Sequence, residues 1–260
     1  MRDAFSCYFC KTNLTAYRMK KALKVLVAIV AVAAMMLVGC HKPDDPNNGG
    51  NNDNNDSITE ENHEYVDLGL PSGTLWATCN VGASRPEDCG DYFAWGETVT
   101  KVVYDWKSYK YGHCPDDHFA ITKYCTDLSY GHDGFVDNLT VLEPIDDAAT
   151  ANWGADWRMP TKEEWKELFL KTTCVWTTQN GMDGRLLIGA NGNSIFLPAT
   201  GFRIDGELIG PGLGIYWSSS LHTDFNVRGW SFHFEGENCH VCGTYERSRG
   251  QVIRAVRVSK

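Results

Sequence analysis

The chain has 260 residues, a formal net charge of −9, ten cysteines and nine tryptophans. That length fits one domain of ordinary size with additional segments. An acidic chain without a basic stripe lacks the electrostatic footprint of a nucleic-acid binder, so nucleic acid is excluded as a partner class.

Residues 1–18 do not fit the segment that succeeds them and read as a gene-calling extension, with translation starting at Met19. Residues 19–39 read as a signal peptide: Met19-Lys20-Lys21 is a basic opening, and an apolar run extends from Val25 to Val38. The run is too short, and too soon succeeded by polar residues, for a transmembrane helix. Leu37-Val38-Gly39-Cys40 has the form of a lipobox, with small Gly39 directly before the cysteine and a polar tail after it. Cys40 is therefore the expected lipid attachment site. Its thiol would carry diacylglycerol and its freed amine a further chain, and stable anchoring requires more than one chain. The rest of residues 40–62 is a tether, because the Asn, Gly and Asp of Asn47 to Asp56 cannot bury apolar surface.

A domain over residues 63–260 begins near His63. Short strands are expected at Tyr65–Leu70, Thr74–Val81, Tyr92–Trp95, Leu186–Ile188 and Ser194–Leu197, the last two joined by the hairpin signal Gly189-Ala190-Asn191-Gly192-Asn193. Between Glu97 and Val141 the chain is rich in Tyr, His, Asp and Gly without periodicity, and reads as long ordered loops. Two helices are expected. One lies around Asp146–Asn152. The other starts at Lys162, after Pro160 and an N-cap at Thr161, with Glu164 at the capping-box spacing. In the second helix Trp165, Leu168 and Phe169 share one face, which calls for burial. The fold class is α+β with an antiparallel sheet.

Seven cysteines come after Cys40, an odd number for an oxidising compartment. Cys79–Cys89 and Cys114–Cys125 are candidate local bridges, and Cys174 is a candidate buried free thiol. Cys239-His240-Val241-Cys242 could contribute to a zinc site with His222 or His233, but no second close-spaced ligand pair accompanies it, so no metal is expected. Glu143, Asp146 and Asp147 read as the acidic first turn of a helix, favoured by its dipole. In the segment Leu221 to Arg249, Trp230, Phe232 and Phe234 alternate with polar residues, the period of a half-buried strand. Around that strand, His222, Asp224, Phe225, Asn226, Arg228, His233, Asn238, His240, Tyr245 and Arg247 read as loop-borne candidates for ligand binding.

Several motifs stand in a specific order: Tyr65-Val66-Asp67-Leu68-Gly69-Leu70-Pro71-Ser72-Gly73, Gly90-Asp91-Tyr92-Phe93-Ala94-Trp95-Gly96-Glu97, Asn152-Trp153-Gly154, Trp157-Arg158-Met159-Pro160-Thr161, Tyr216-Trp217-Ser218-Ser219-Ser220 and Val252-Ile253-Arg254-Ala255-Val256-Arg257. In these motifs residues 63–260 resemble the Fibrobacter succinogenes major paralogous domain, a Bacteroidetes-type module. The resemblance implies a C-type-lectin-like or formylglycine-generating-enzyme-like fold, with short antiparallel strands, two helices and long ordered loops. Formylglycine-generating enzymes hold copper on a late pair of cysteines. The closer spacing of Cys239 and Cys242 departs from theirs, and the surrounding sequence is missing. No catalytic residue, cofactor or enzymatic activity is therefore expected. The sugar-reading motifs of calcium-dependent lectins are absent as well.

Asp44 and Asp45 resemble the surface-export signal of Bacteroidetes lipoproteins, which implies an outer-membrane protein facing outward. The resemblance also extends to retroelement-diversified proteins, whose last segment, between a Tyr-Trp-Ser-Ser-like start and a Val-Arg-like end, is hypervariable. The expected function is a lipid-anchored, non-catalytic binding module for an extracellular protein or glycan. The alternative is a structural or fimbrial-tip adhesin component.

Overall fold

Tryptophans organise the interior, and each of three indoles finds a carbonyl for its N–H. In the computed structural model Trp95 donates to the Ser218 carbonyl at 2.8 Å, Trp165 to Trp217 at 3.2 Å and Trp217 to Phe93 at 2.9 Å. All three are fully buried, as a buried indole with a satisfied polar edge can be. The structure describes residues 63–114, 117, 119–236 and 238–258, without the side chains of 239–242 and 258. The extension, signal peptide, lipobox with Cys40, and tether lie outside the described residues. Among the described residues no helix is long and apolar enough to cross a membrane.

The strands are β1 (Tyr65–Asp67), β2 (Thr74–Asn80), β3 (Thr173–Gln179), β4 (Met182–Ile188), β5 (Ser194–Pro198), β6 (Phe202–Ile204), β7 (Glu207–Ile209), β8 (Leu213–Leu221), β9 (Arg228–Glu235), β10 (Asn238–Glu246) and β11 (Arg254–Val258). They form antiparallel sheets of order β1-β2-β11, β10-β9-β8, β3-β4-β5 and β6-β7. The helices are α1 (Ala148–Trp153) and α2 (Lys162–Lys171). This is an α+β arrangement.

The start of α2 is dictated by its sequence. The Thr161 hydroxyl accepts from Glu164 N at 3.2 Å and the Glu164 carboxylate accepts from Thr161 N at 2.8 Å, the reciprocal capping box. Arg158 grips the same carboxylate through both terminal nitrogens at 2.6 and 2.7 Å. Trp165 then stacks on Phe232 of β9 with centroids 4.8 Å apart. Burying a side chain of this kind stabilises the fold by about 2–3 kcal/mol.

The expected strands at Thr74 and Ser194 and the hairpin between β4 and β5 are present. The one at Tyr92–Trp95 is not a strand. Only Phe93 bridges, to Gln251, while the Tyr92 hydroxyl bonds the Thr200 carbonyl at 2.7 Å. The aromatics of this segment act as separate anchors rather than one face of a ladder. The first helix begins at Ala148 with Asp147 as its N-cap, accepting from Ala149 N and Thr150 N, whereas Asp146 closes a preceding 3-10 turn. Residues 97–141 hold no strand or α-helix among those described. Cys79, Cys89, Cys114, Cys125 and Cys174 are all in the thiol form, so the two candidate bridges are not formed. Cys174 is half-buried rather than buried, and Arg185 Nη1 lies 3.2 Å from its sulfur.

Candidate functional site

The turn from β8 to β9 closes on itself through three backbone bonds: His222 N to Arg228 O at 3.0 Å, Phe225 N to His222 O at 3.3 Å and Arg228 N to Phe225 O at 2.9 Å. It thereby presents an aromatic and cationic group. His222 stacks on Trp230 with centroids 4.5 Å apart and planes 20° from parallel, and Lys162 Nζ lies 3.6 Å from the centre of the same indole. Both groups therefore pack against the Trp230 ring. Phe225 remains 46% exposed, with the Arg228 guanidinium 5.8 Å from its centre and Arg228 Nη1 donating to Thr244 Oγ1 at 3.4 Å. Asp224 is exposed at the tip.

Phe225 N also donates to His222 Nδ1 at 3.2 Å, so the neutral imidazole carries its proton on Nε2. Burial pushes the His222 pKa below its ordinary value. The Arg228 and Lys162 charges push the same way, and Asp224 opposes them. His222 is thus a neutral ring at pH 7 between two cations.

Strand register divides the other candidates. Thr244 pairs with Trp230 and Glu246 with Arg228, so these share the Phe225 side of the sheet; Tyr245 pairs with Gly229 and occupies the opposite side, as does His233. There Tyr245 packs 5.7 Å from Phe202 and 6.1 Å from His233. A Cβ at Gly243 would stand 2.2 Å from His233 Nδ1, so glycine is required for that approach. Asn238 is exposed at the start of β10, and His240 pairs with His233 through the backbone, its side chain lying outside those described. The ten candidates do not form one face.

Two of them are corrected outright. Asn226 and Arg247 are fully buried and offer nothing to a ligand. The Asn226 side-chain oxygen accepts from Thr126 N at 2.6 Å and Asp127 N at 3.1 Å, while its amide donates to Thr223 O at 2.8 Å, latching the turn to the 126–127 loop. Arg247 donates to the Tyr109 hydroxyl at 2.7 Å and to the carbonyls of Lys123, Asn226 and Tyr124 at 2.9, 3.1 and 3.2 Å. Its guanidinium lies 4.8 Å from the Trp95 ring. Conversely, Trp230 and Lys162, both half-buried, belong to the cluster beside His222 and were not among the candidates. The only hint was Lys162 at the first position of a capped helix, near whatever lies beside that terminus.

The acidic group near α1 is structural. Asp147 caps the helix, as its charge favours. Asp146 is 2% exposed and accepts from Lys123 Nζ at 2.6 Å, Tyr124 Oη at 2.7 Å, Lys110 Nζ at 2.9 Å and Tyr111 Oη. Burial alone would raise its pKa, but these donors hold it well below the usual carboxylate range. An ionised carboxylate tied to four donors is a poor general acid or base. Among the described residues no group of three or more His, Cys, Asp or Glu is placed to hold a metal ion.

Two open recesses, of about 290 and 200 Å³, lie elsewhere. The first is lined by His63, Thr78, Cys79 and Trp153, the second by Val141, Pro144, Arg158 and Met159, and neither by a candidate residue. Comparison with protein-family models, curated proteins and solved structures finds no match.

Proposed function

We propose that the chain is a lipid-anchored, outward-facing, non-catalytic binding module of the outer membrane, related to the C-type-lectin-like domains that its motifs resemble. The ligand is an extracellular protein, bound at the turn from β8 to β9 by Phe225 and Arg228 with His222, Asp224, Trp230 and Lys162. The observation that carries this reading is the exposed Phe225 ring beside Arg228, on a turn pinned from below by Asn226.

Three features favour a protein over a glycan or small molecule. Neither open recess is lined by the cluster, whereas small-molecule sites are clefts of about 300–1,000 Å³. Sugar stacking needs a free aromatic face, and the Trp230 ring is already packed by His222 and Lys162. Aromatic and arginine side chains at the centre of a patch are the usual energetic anchors of protein interfaces. Lys162 and Arg228 on a chain of net charge −9 favour an acidic segment on the partner.

Panels of extracellular proteins and glycans probed with the full chain would identify the ligand. Phe225→Ala with Arg228→Ala should then weaken binding by about tenfold or more, while Tyr245→Ala, on the opposite side of the sheet, should leave it unchanged. The reverse pattern, with circular dichroism showing both variants folded, defeats the assignment.

A further inference from the structure

His222 holds the turn from β8 to β9 through its ring as well as its backbone. The amide of Phe225 is shared between two acceptors of that one residue, the carbonyl at 3.3 Å and Nδ1 at 3.2 Å. Both bonds are long for an amide donor, so losing either leaves Phe225 N weakly held. The imidazole also lies 5.3 Å from the Phe225 ring and 4.5 Å from Trp230, centre to centre. One side chain thus positions the Phe225 backbone and packs against the exposed ring it carries.

Among the described residues, the charged groups facing this imidazole are Asp224 and Arg228 of the turn and Lys162 of α2. The neighbouring segments approach with other groups. Thr140 O accepts from Leu221 N at 2.8 Å. The 126–127 loop meets the turn through Thr126, and the Asp127 carboxylate accepts instead from Ser129 N and Oγ, both at 2.8 Å. On β10, Glu246 pairs with Arg249 at 3.3 Å. A proton added to the ring can go only to Nδ1, because Nε2 already carries one. There it meets the Phe225 N–H donor against donor, and that bond is lost. It also sets a third positive charge beside Lys162 and Arg228, opposed by exposed Asp224. An imidazolium is attracted to an indole face, but Lys162 Nζ already lies 3.6 Å from the centre of Trp230, and two cations would compete for one ring.

Resting on the reading of Phe225 and Arg228 as the anchor for a protein partner, we infer that His222 is an acid-released latch: one proton on Nδ1 frees the Phe225 amide and withdraws that anchor. The latch closes with the neutral imidazole. Burial, joined by Arg228 and Lys162 against Asp224, favours that form. Its contribution is fully present above the ordinary histidine value of about 6.5. It is lost progressively as the pH falls from there through the depressed value of the closed turn. A single proton is involved, so the ratio of closed to open turn falls by at most about tenfold for each pH unit. A site governed by charge alone would respond in the opposite sense, since a third cation strengthens the hold on an acidic segment.

The latch can be observed without a partner. Amide spectra and hydrogen exchange of the isotopically labelled full chain in detergent, from about pH 7.5 to about pH 4.5, span the ordinary histidine value and read the Phe225 N–H directly. In the wild type this resonance should follow the titration of the His222 ring, with one midpoint below about 6.5. Its protection, corrected for the intrinsic exchange rate, should fall by about three- to tenfold over that range. His222→Asn places Oδ1 near the position of Nδ1 as an acceptor that does not titrate, and should hold Phe225 at every pH. His222→Phe keeps a ring beside Trp230 without an acceptor, and should leave Phe225 loose at every pH. A midpoint at or above the ordinary value, a Phe225 amide indifferent to the titration, a His222→Asn chain as acid-sensitive as wild type, or a His222→Phe chain that stays protected would each overturn the latch. Those failures leave the binding turn itself standing. A working latch on a turn that Phe225→Ala with Arg228→Ala shows to bind nothing defeats the binding reading alone.

Discussion

Replacing Arg247 by alanine separates a pin in the fold from a contact with a ligand. Its guanidinium donates four hydrogen bonds, three of them to backbone carbonyls of residues 123, 124 and 226, and among the described residues no carboxylate pairs with it. Bonds from a charged donor contribute about 1.5–3 kcal/mol each, so the four amount to roughly 6–12 kcal/mol gross. Against this stands the desolvation of a buried cation, which costs several kcal/mol and disappears with the side chain. The difference leaves Arg247→Ala about 3–5 kcal/mol less stable, a large share of the 5–15 kcal/mol typical of a domain. Urea unfolding followed by tryptophan fluorescence is suited to the measurement, since Trp95 lies directly under the guanidinium. The amides of Thr126 and Asp127, which Asn226 holds, should exchange faster in the variant. A folded Arg247→Ala chain that loses less than about 1 kcal/mol would refute the reasoning, and would return Arg247 to the pool of surface residues.

Two further outcomes are expected. The Asp146 pKa lies below its unfolded value of about 4, so its stabilisation is fully present above that value and is lost progressively as the pH falls from there through the depressed folded value. Asp146→Asn should therefore flatten stability against pH below pH 4 and leave the slope between pH 5 and 7 unaltered, as pH-dependent unfolding would record. Metabolic labelling with an alkyne fatty acid should tag the wild-type chain and not Cys40→Ala; equal labelling of both would remove the proposed anchor.

What the sequence made legible was local. The capping box of Thr161 and Glu164, the hairpin between β4 and β5 and the aperiodic run after Glu97 each depend on residues a few positions apart, and each is present. What stayed hidden depends on distance along the chain. Asn and Arg are surface residues by habit, so Asn226 and Arg247 looked available. Their burial is imposed by backbone groups about a hundred residues away or more that only the folded chain brings to them. The division of the candidates between two sides of a sheet has the same origin. Alternation along β9 was readable, but which neighbour covers each side was not. Trp230 shares the period of Phe232 and Phe234, which suggests core, yet it is only half-buried, beside Lys162 at the start of α2.

Strand β11 lies in sequence about 175 positions beyond β2, yet pairs with it along its length. Arg254, from the same strand, reaches across to Asn80 at 2.9 Å and to the carbonyls of Thr78 and Phe196 at 2.7 and 3.0 Å. A nascent chain that has reached the end of β10 still lacks the strand that closes its first sheet. Such long-range closure makes for slow folding, and the partly made chain has little to gain from folding early. Cutting the chain just before residue 254 should yield a product that proteases treat as unfolded, not a slightly shortened domain.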